Sequence, residues 1–495
     1  MIAALGPSSR NAALRTLEAN VVDLLIVGAG ATGAGTALDA VTRGLSVMLI
    51  DQGDIAGGTS SRSSQLVHGG LRYLQQGDLA LVREALRERE LLLTAIAPGL
   101  VRPLPFLLPL TRGLWERALV GAGLTIYDML AGSGIMPRHR HRSRATAMER
   151  FPDLRRSRLL GAIEYYDAQM DDARLAVAIA RTAAAHGAHV ATHVALVGSH
   201  GVSSDGVHRV SVRDRMTGDE RTVSARSIAL CSGVWAPEVS AIFNGHRSAV
   251  DVVRSKGVHL RLPRSAINGN TALIVPRGRS VLFVLPSADH WLVGTTDTPW
   301  PNDINRVAPD ERDISFLLAE LDGIVTSGVT AADVTYAFAG LRPLVRDQAV
   351  GGDTAKVTRE HRISRVAPRV FAIVGGKWTT YRVMARDLVD TILRDAQIAP
   401  RPCRTDSIPL VDNRAEEVAT LIAADPSLAD QLVGAPGYTR ADVVQACIHE
   451  GAITVDDVVD RRLRLRLHLD VVPDTTLADI ESVIVSIRPS PTSRA

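Results

Sequence analysis

The feature that most constrains this chain is a strand–glycine–helix–strand unit near its start. Val21 to Val27 is a short apolar run, and Gly28, Gly30 and Gly33 follow with G-x-G-x-x-G spacing. An Ala-rich helical stretch then reaches Arg43, Gly44 caps it, and a second apolar run, Leu45 to Ile50, ends at Asp51. This order is that of a parallel βαβ crossover. Its glycines allow a tight turn and close backbone approach, and the helix N-terminus offers N–H groups to a pyrophosphate. Asp51 stands 21 residues after Gly30, where a carboxylate bonds ribose hydroxyls and repels a 2′-phosphate. The unit therefore predicts a dinucleotide site for NAD or FAD and disfavours NADP.

The device recurs near residue 375. Val370 to Val374 is apolar, Gly375-Gly376-Lys377 follows, and a helical pattern runs from Trp378 to Ala396. Between the two units, Asp172 to His186 reads as a helix capped by Asp171 or Asp172, and Ala188 to Val197 as a strand. Val207 to Arg215 and Arg221 to Leu230 read as a hairpin around Thr217-Gly218-Asp219. Val258 to Leu262, Ser280 to Leu285 and Trp291 to Gly294 alternate as half-buried strands, and Pro309 to Val325 reads as a helix with Pro309 at its first position. Ala399-Pro400-Arg401-Pro402 is the best linker, with polar helical patterns beyond it. The expected fold class is α/β, α+β overall: a Rossmann-like dinucleotide-binding domain, an antiparallel substrate domain and a small helical C-terminal domain.

Composition narrows the class further. A chain of 495 residues with 46% hydrophobic and 22% charged residues excludes bulk disorder and a polytopic membrane protein. The formal charge of +3 gives no nucleic-acid footprint. Three scattered cysteines (Cys231, Cys403, Cys447) argue against a disulfide framework or thiolate zinc site, so a reducing cytoplasmic setting and no metal are expected. The first 20 residues lack a secretory h-region, and no stretch approaches the ~20 apolar residues of a membrane span, so membrane contact is expected to be peripheral. Lysine occurs only at Lys256, Lys356 and Lys377, which favours a lysine needed for its compact ammonium.

After Asp51 the chain does not continue as an NAD domain would. Gly57 to Gly70 is rich in small hydrogen-bonding residues, which suits a long cofactor lying along the backbone, with an ordinary surface loop as the alternative. Gly58-Thr59-Ser60-Ser61-x-Ser63-Ser64-x-Leu66-x-His68-Gly69-Gly70-Leu71-Arg72-Tyr73-Leu74 resembles FAD-dependent glycerol-3-phosphate dehydrogenases of the quinone-linked bacterial type. So do Asp171 to Leu175, Gly294-Thr295-Thr296-Asp297, Gly340-Leu341-Arg342-Pro343-Leu344 and Gly375-Gly376-Lys377-x-Thr379-Thr380-Tyr381-Arg382, all in the family's order. His449-Glu450-Gly451 and Asp456-Asp457-x-x-x-Arg461-Arg462 are similar to the family's helical cap. No EF-hand loop of the mitochondrial members is present.

The resemblance implies oxidation of sn-glycerol 3-phosphate to dihydroxyacetone phosphate, with FAD passing electrons to membrane quinone. It divides the chain into an extension (1–20), an oxidoreductase region with a discontinuous FAD domain (21–397), a linker (398–408), a C-terminal helical domain (409–486) and a tail (487–495). FAD contacts are expected from Gly28, Gly30, Gly33, Asp51, Thr59, Ser60, Ser63, Ser64, Val194, Ser232, Gly233, Gly375, Gly376, Lys377, Trp378 and Thr379. His68 is the candidate base, with a turn histidine as the alternative. Arg72, Tyr73, Arg342, Arg359 and Lys377 are candidates for the substrate, the arginines because a guanidinium fork matches phosphate oxygens. Arg342 and Lys377 are also assigned catalytic roles; Lys256 is the weaker lysine, read as a solvated loop residue.

Gly99 to Arg144 joins apolar clusters, Leu104 to Leu110 and Leu114 to Leu130, to the basic run Arg138 to Arg144. Membrane docking and burial in the core are equal readings of it. Expected partners are sn-glycerol 3-phosphate, quinone, the inner membrane surface and, in a homo-oligomer, further copies of the chain; no nucleic acid is expected. Two rivals stand beside this reading: a flavin oxidase using oxygen or acting on an amine, and a non-catalytic flavin-binding sensor.

Overall fold

The computed structural model describes residues 4–487 apart from 76, 133–134, 158, 246, 278–279 and 346–359. Its first sheet is assembled from three distant parts of the chain. Strands His189–Ala191, Val47–Ile50, Val21–Val27, Glu220–Leu230 and Val370–Gly375 lie side by side in parallel, with His361–Ala367 antiparallel at one edge. The inner strands read as continuous apolar runs because both faces are covered: Leu24, Leu25, Ile26, Met48, Leu49 and Ile50 are fully buried. Helix Ala31–Thr42 packs against Tyr381–Asp395 and Asp172–Ala185. Its small residues set the spacing, since a Cβ at Gly35 would lie 2.7 Å from the Tyr381 ring. Asp171 caps Asp172–Ala185 through a bond from Arg174 N.

Residues 1–20 read as an extension, yet Pro7–Ala19 is a helix that buries Ala13, Leu14 and Leu17 against this sheet. Arg10 donates to both oxygens of Asp214, at 3.0 and 2.8 Å. A few small or isolated apolar positions in a 13-residue polar helix, of which Ala13, Leu14 and Leu17 are buried, are too weak a period to signal packing. The predicted strand from Ala188 to Val197 is broken at His193, whose φ is +56°, into His189–Ala191 and Val194–Val202.

The second sheet is mostly antiparallel, ordered Thr298–Pro299, Val252–Pro263, His290–Gly294, Ser280–Pro286, Ala272–Arg277, Val101–Leu110, Gly161–Met170 and Leu66–Val67, with Tyr336–Val345 also paired to Val252–Pro263. Val258 to Leu262 was expected to be half buried and is buried throughout. Helix Glu311–Asp322 covers one face with Leu317 and Leu321, and aromatic residues including Phe106 and Tyr165 fill the other. Pro309 precedes that helix: Asp310 is its cap, in a capping box with Asp313. Lys256, expected in solvent, is buried with Nζ 3.0 Å from Asp310 and 2.5 Å from Asp313. An ammonium there stabilises the two carboxylates gathered at the helix start.

Beyond residue 413, helices Arg414–Ala424, Arg440–Ile448, Leu465–His468 and Asp474–Ile487 enclose their own core, including Val443, Val458, Leu465 and Ile480. The apolar region 101–131 divides in two. Strand Val101–Leu110 is largely core, whereas helix Leu114–Ala131 leaves Leu114, Trp115, Leu119, Ile126 and Met129 exposed. Near them, Arg138, Arg140 and Arg144 are exposed, while Arg142 pairs with Glu164 at 3.1 Å.

Candidate active site

The first glycine turn is built by exclusion. Gly28 has φ +109°, and a Cβ on Gly33 would lie 1.7 Å from Gly28 O. Helix Ala31–Thr42 receives no side-chain cap from Gly30; Ser60 Oγ accepts from Ala31 N at 3.0 Å. Gly30, Ala31 and Thr32 line the cavity at this helix start. The Asp51 carboxylate accepts from Ala29 N at 2.6 Å and Gly53 N at 2.8 Å, while burial pushes its pKa up. Glycine cradle, helix start and acidic strand end together fit a dinucleotide without a 2′-phosphate.

The segment after Asp51 is pinned from several sides. Thr59 Oγ1 donates to Leu341 O at 2.6 Å, Trp378 Nε1 to Ser60 O at 3.0 Å, and Ser63 donates through N and Oγ to Asp172 at 2.8 and 2.7 Å. The second glycine turn closes the same space. Gly375 and Gly376 have φ of +79° and +76°, and a Cβ on Gly376 would lie 2.4 Å from Met384 Sδ. Lys377 follows, before a turn of 3₁₀ helix, Trp378–Thr380, that leads into Tyr381–Asp395. Its Nζ lies 3.7 Å from the centre of the buried Tyr73 ring, an ammonium over a π-face. Thr379 Oγ1 accepts from His68 N at 3.1 Å, tying the His68 loop to this turn.

From the second sheet comes the remaining wall. Arg342 Nη2 donates to Thr295 Oγ1 at 2.8 Å and Thr296 O at 3.1 Å, and Nη1 lies 3.3 Å from Asp297. Strand register sets Ser255 opposite Arg342, Gly257 opposite Gly340 and His259 opposite Phe338. A Cβ on Gly257 would lie 2.3 Å from Arg342 Nη2, so the glycine makes room for the guanidinium. His259 stacks on Phe338, with centroids 5.1 Å apart, and its Nε2 is 2.8 Å from Ser64 Oγ. Burial first, then the charge of Arg342, pushes the His259 pKa down to about 3. Its imidazole is neutral at cellular pH.

One cavity of about 570 Å³ gathers most of the expected residues: Gly28, Gly30, Asp51, Thr59, Ser60, Ser63, Ser64, His68, Tyr73, Ser232, Gly233, Arg342, Gly375, Gly376, Lys377, Trp378 and Thr379. Gly33 supports the turn from behind. Val194 backs the wall, its N donating to Asp51 O at 2.7 Å, while Leu196 lines it. Arg72 lies in helix Leu71–Gln75 with its side chain outside the described set, and Arg359 falls outside the described residues. The sequence reading missed His259, Arg62, Arg215 and Trp235, which also line the cavity. For His259 the available signal was Gly257 two residues earlier: in a strand the two share a face.

The fold and this cavity define an FAD-dependent oxidoreductase, and residues 23–391 match the family model described as FAD dependent oxidoreductase. Residues 413–479 match the C-terminal domain of alpha-glycerophosphate oxidase. The chain is 40% identical to glycerol-3-phosphate dehydrogenase 2 of Mycobacterium tuberculosis, over 94% of this chain and 84% of that protein. It is 39% identical to glycerol-3-phosphate dehydrogenase of Mycobacterium leprae, over 97% and 88%. In fold it is similar to glycerol-3-phosphate dehydrogenase from Bacillus halodurans complexed with FAD, with a TM-score of 0.73 at 23% identity, covering 97% and 93% of the two chains. The chain belongs to the FAD-dependent glycerol-3-phosphate dehydrogenase family, and its cofactor is FAD.

Proposed function

We propose that this chain oxidises sn-glycerol 3-phosphate to dihydroxyacetone phosphate and delivers the electrons to membrane quinone, bound peripherally at the cytoplasmic face of the cell membrane. One observation carries the chemistry: a dinucleotide cradle, the cations Arg342 and Lys377 and a neutral imidazole line a single cavity. FAD, when bound, supplies the hydride acceptor for the C2 hydrogen. Arg342 offers a guanidinium fork and Lys377 a compact ammonium, and both suit a phosphate dianion. The C2 hydroxyl proton passes to His259, beside the Ser64 hydroxyl, with His68, the base expected from the sequence, lining the same cavity as the second candidate. Burial and Arg342 keep His259 deprotonated in the free enzyme. A phosphate pairing with Arg342 offsets that repulsion, so substrate binding raises the proton affinity of His259 when a base is needed. Loss of the proton and of the hydride leaves a C2 carbonyl.

The proposed membrane contact uses helix Leu114–Ala131. Trp115, Leu119, Ile126 and Met129 follow helical spacing and are exposed, and Arg138, Arg140 and Arg144 lie just beyond. Among the described residues, no helix is long and apolar enough to cross a membrane, so this reading places the helix in the interfacial plane.

Anaerobic addition of sn-glycerol 3-phosphate is expected to bleach the flavin spectrum, and a quinone analogue to restore it. A flavin that stays oxidised overturns the substrate assignment; reoxidation by oxygen with hydrogen peroxide, and none by quinone, favours the oxidase reading. Leu119→Asp with Met129→Asp is expected to abolish flotation with anionic liposomes and leave bleaching intact.

A further inference from the structure

Among the described residues, the C-terminal domain contributes none of those lining the cofactor cavity, yet one short segment of it reaches the loop that does. Asp54 sits in that loop, three residues after Asp51, and its side chain is inaccessible to solvent. Arg462, equally inaccessible, donates to both Asp54 oxygens at 2.8 and 2.7 Å, and Arg461 Nε adds a third bond at 2.6 Å. Five residues of turn, Asp54 to Gly58, then return the chain to the cavity wall, with Ala56 N bonded to Ala29 O of the first glycine turn at 3.0 Å. A displacement of Asp54 is thereby transmitted to the cradle.

Two more contacts come from the same segment. Arg464, with φ +55°, donates to Ser61 O at 3.1 Å and to Asp172 at 2.9 Å; Asp172 is the carboxylate that holds Ser63. Asp457 lies 3.1 Å from His193 Nε2, and His193 N donates to Gly53 O at 2.7 Å. Residues 457–464 thus grip the cofactor loop at its start, middle and end. The same domain also docks on helix Asp172–Ala185 through Arg181–Glu417 at 2.5 Å and Arg174–Glu450; what sets residues 457–464 apart is that their buried pairs fall on the loop that lines the cofactor cavity.

We propose that Asp457, Arg461, Arg462 and Arg464 are positioning residues for FAD: docking of the C-terminal domain sets the conformation of residues 51–64, and FAD affinity is coupled to that docking. By linkage, FAD binding strengthens the docking by the same factor.

The test titrates full-length apoprotein with FAD and follows flavin fluorescence, alongside melting temperatures with and without FAD. Asp54→Asn and Arg462→Met are expected to raise the FAD Kd about tenfold or more, because each breaks the buried, forked Asp54–Arg462 pair that fixes the loop, and to shrink the FAD-induced melting shift. Asp470→Asn is the control: it removes the Arg261–Asp470 pair, 2.5 Å, between the same domain and the second sheet, away from the cofactor loop, and FAD affinity is expected within about twofold of wild type. The proposal is overturned if Asp54→Asn binds FAD like wild type, or if Asp470→Asn weakens FAD equally. Should the buried-pair variants not fold, His193→Asn decides. Asn tolerates the left-handed backbone of His193 but is too short to reach Asp457; about threefold weaker FAD binding supports the clamp, and unchanged binding overturns it.

Discussion

Two strand–glycine–helix turns face one cavity with opposite chemistry. The first, Gly28 to Gly33, presents backbone amides and carries no charged side chain, its acid being supplied by Asp51 from the next strand. The second, Gly375 to Lys377, has two left-handed glycines in a row and a 3₁₀ turn after them, and it delivers an ammonium over Tyr73 and a hydroxyl, Thr379, to the His68 loop. A glycine turn ahead of a helix is therefore a platform whose function is set by the residues placed after the glycines. Where these are small, the turn offers backbone to the cavity; where lysine stands there, it offers a charge.

Lys377→Met is the substitution best able to break this contrast. Removing that cation is expected to lower kcat/KM about 10³-fold, as loss of a preorganised charge-stabilising donor does, with FAD content unchanged; loss of FAD instead would make both turns cofactor elements. Gly33→Ala is the converse. Its Cβ has no space against Gly28 O, so flavin content, read from the 450/280 nm absorbance ratio, should fall about tenfold, while the remaining holoenzyme keeps its KM.

The His259 wall of the cavity should also titrate. The folded pKa of His259 lies below the unfolded value of 6.5, at about 3, so its contribution to stability is complete above pH 6.5 and is lost as pH falls toward 3. Relative to His259→Asn, the wild type is expected to lose about 2 kcal/mol between pH 7.5 and pH 5 in denaturant melts; a pH-independent difference would mean the imidazole is not held neutral. Smallest is Thr379→Val, which deletes one hydrogen bond to His68 N. About 1 kcal/mol, or roughly fivefold in kcat/KM, is expected, and no change would detach the His68 loop from the second turn.

Both turns were legible because each is a local signal: apolar run, glycines, helical period and Asp51 lie within a few tens of residues. Lys256 shows the limit of such reading. Its rarity flagged it, but only the fold placed it between Asp310 and Asp313, where it holds a helix start and stays out of the cavity. The two apolar stretches after Gly99 were indistinguishable by composition, and strand pairing buried one while helix formation turned part of the other outward.

The sequence by itself determined the dinucleotide unit, the acid at the end of its second strand, the second turn with its lysine and the order of family blocks, because these depend on neighbours along the chain. Tertiary structure alone decided that His259 would stand beside Arg342 and lose its proton, and that Arg462 would reach Asp54, 408 residues away. Those properties arise from desolvation and from pairings between distant segments, and neither exists until the sheets and the C-terminal helices have packed.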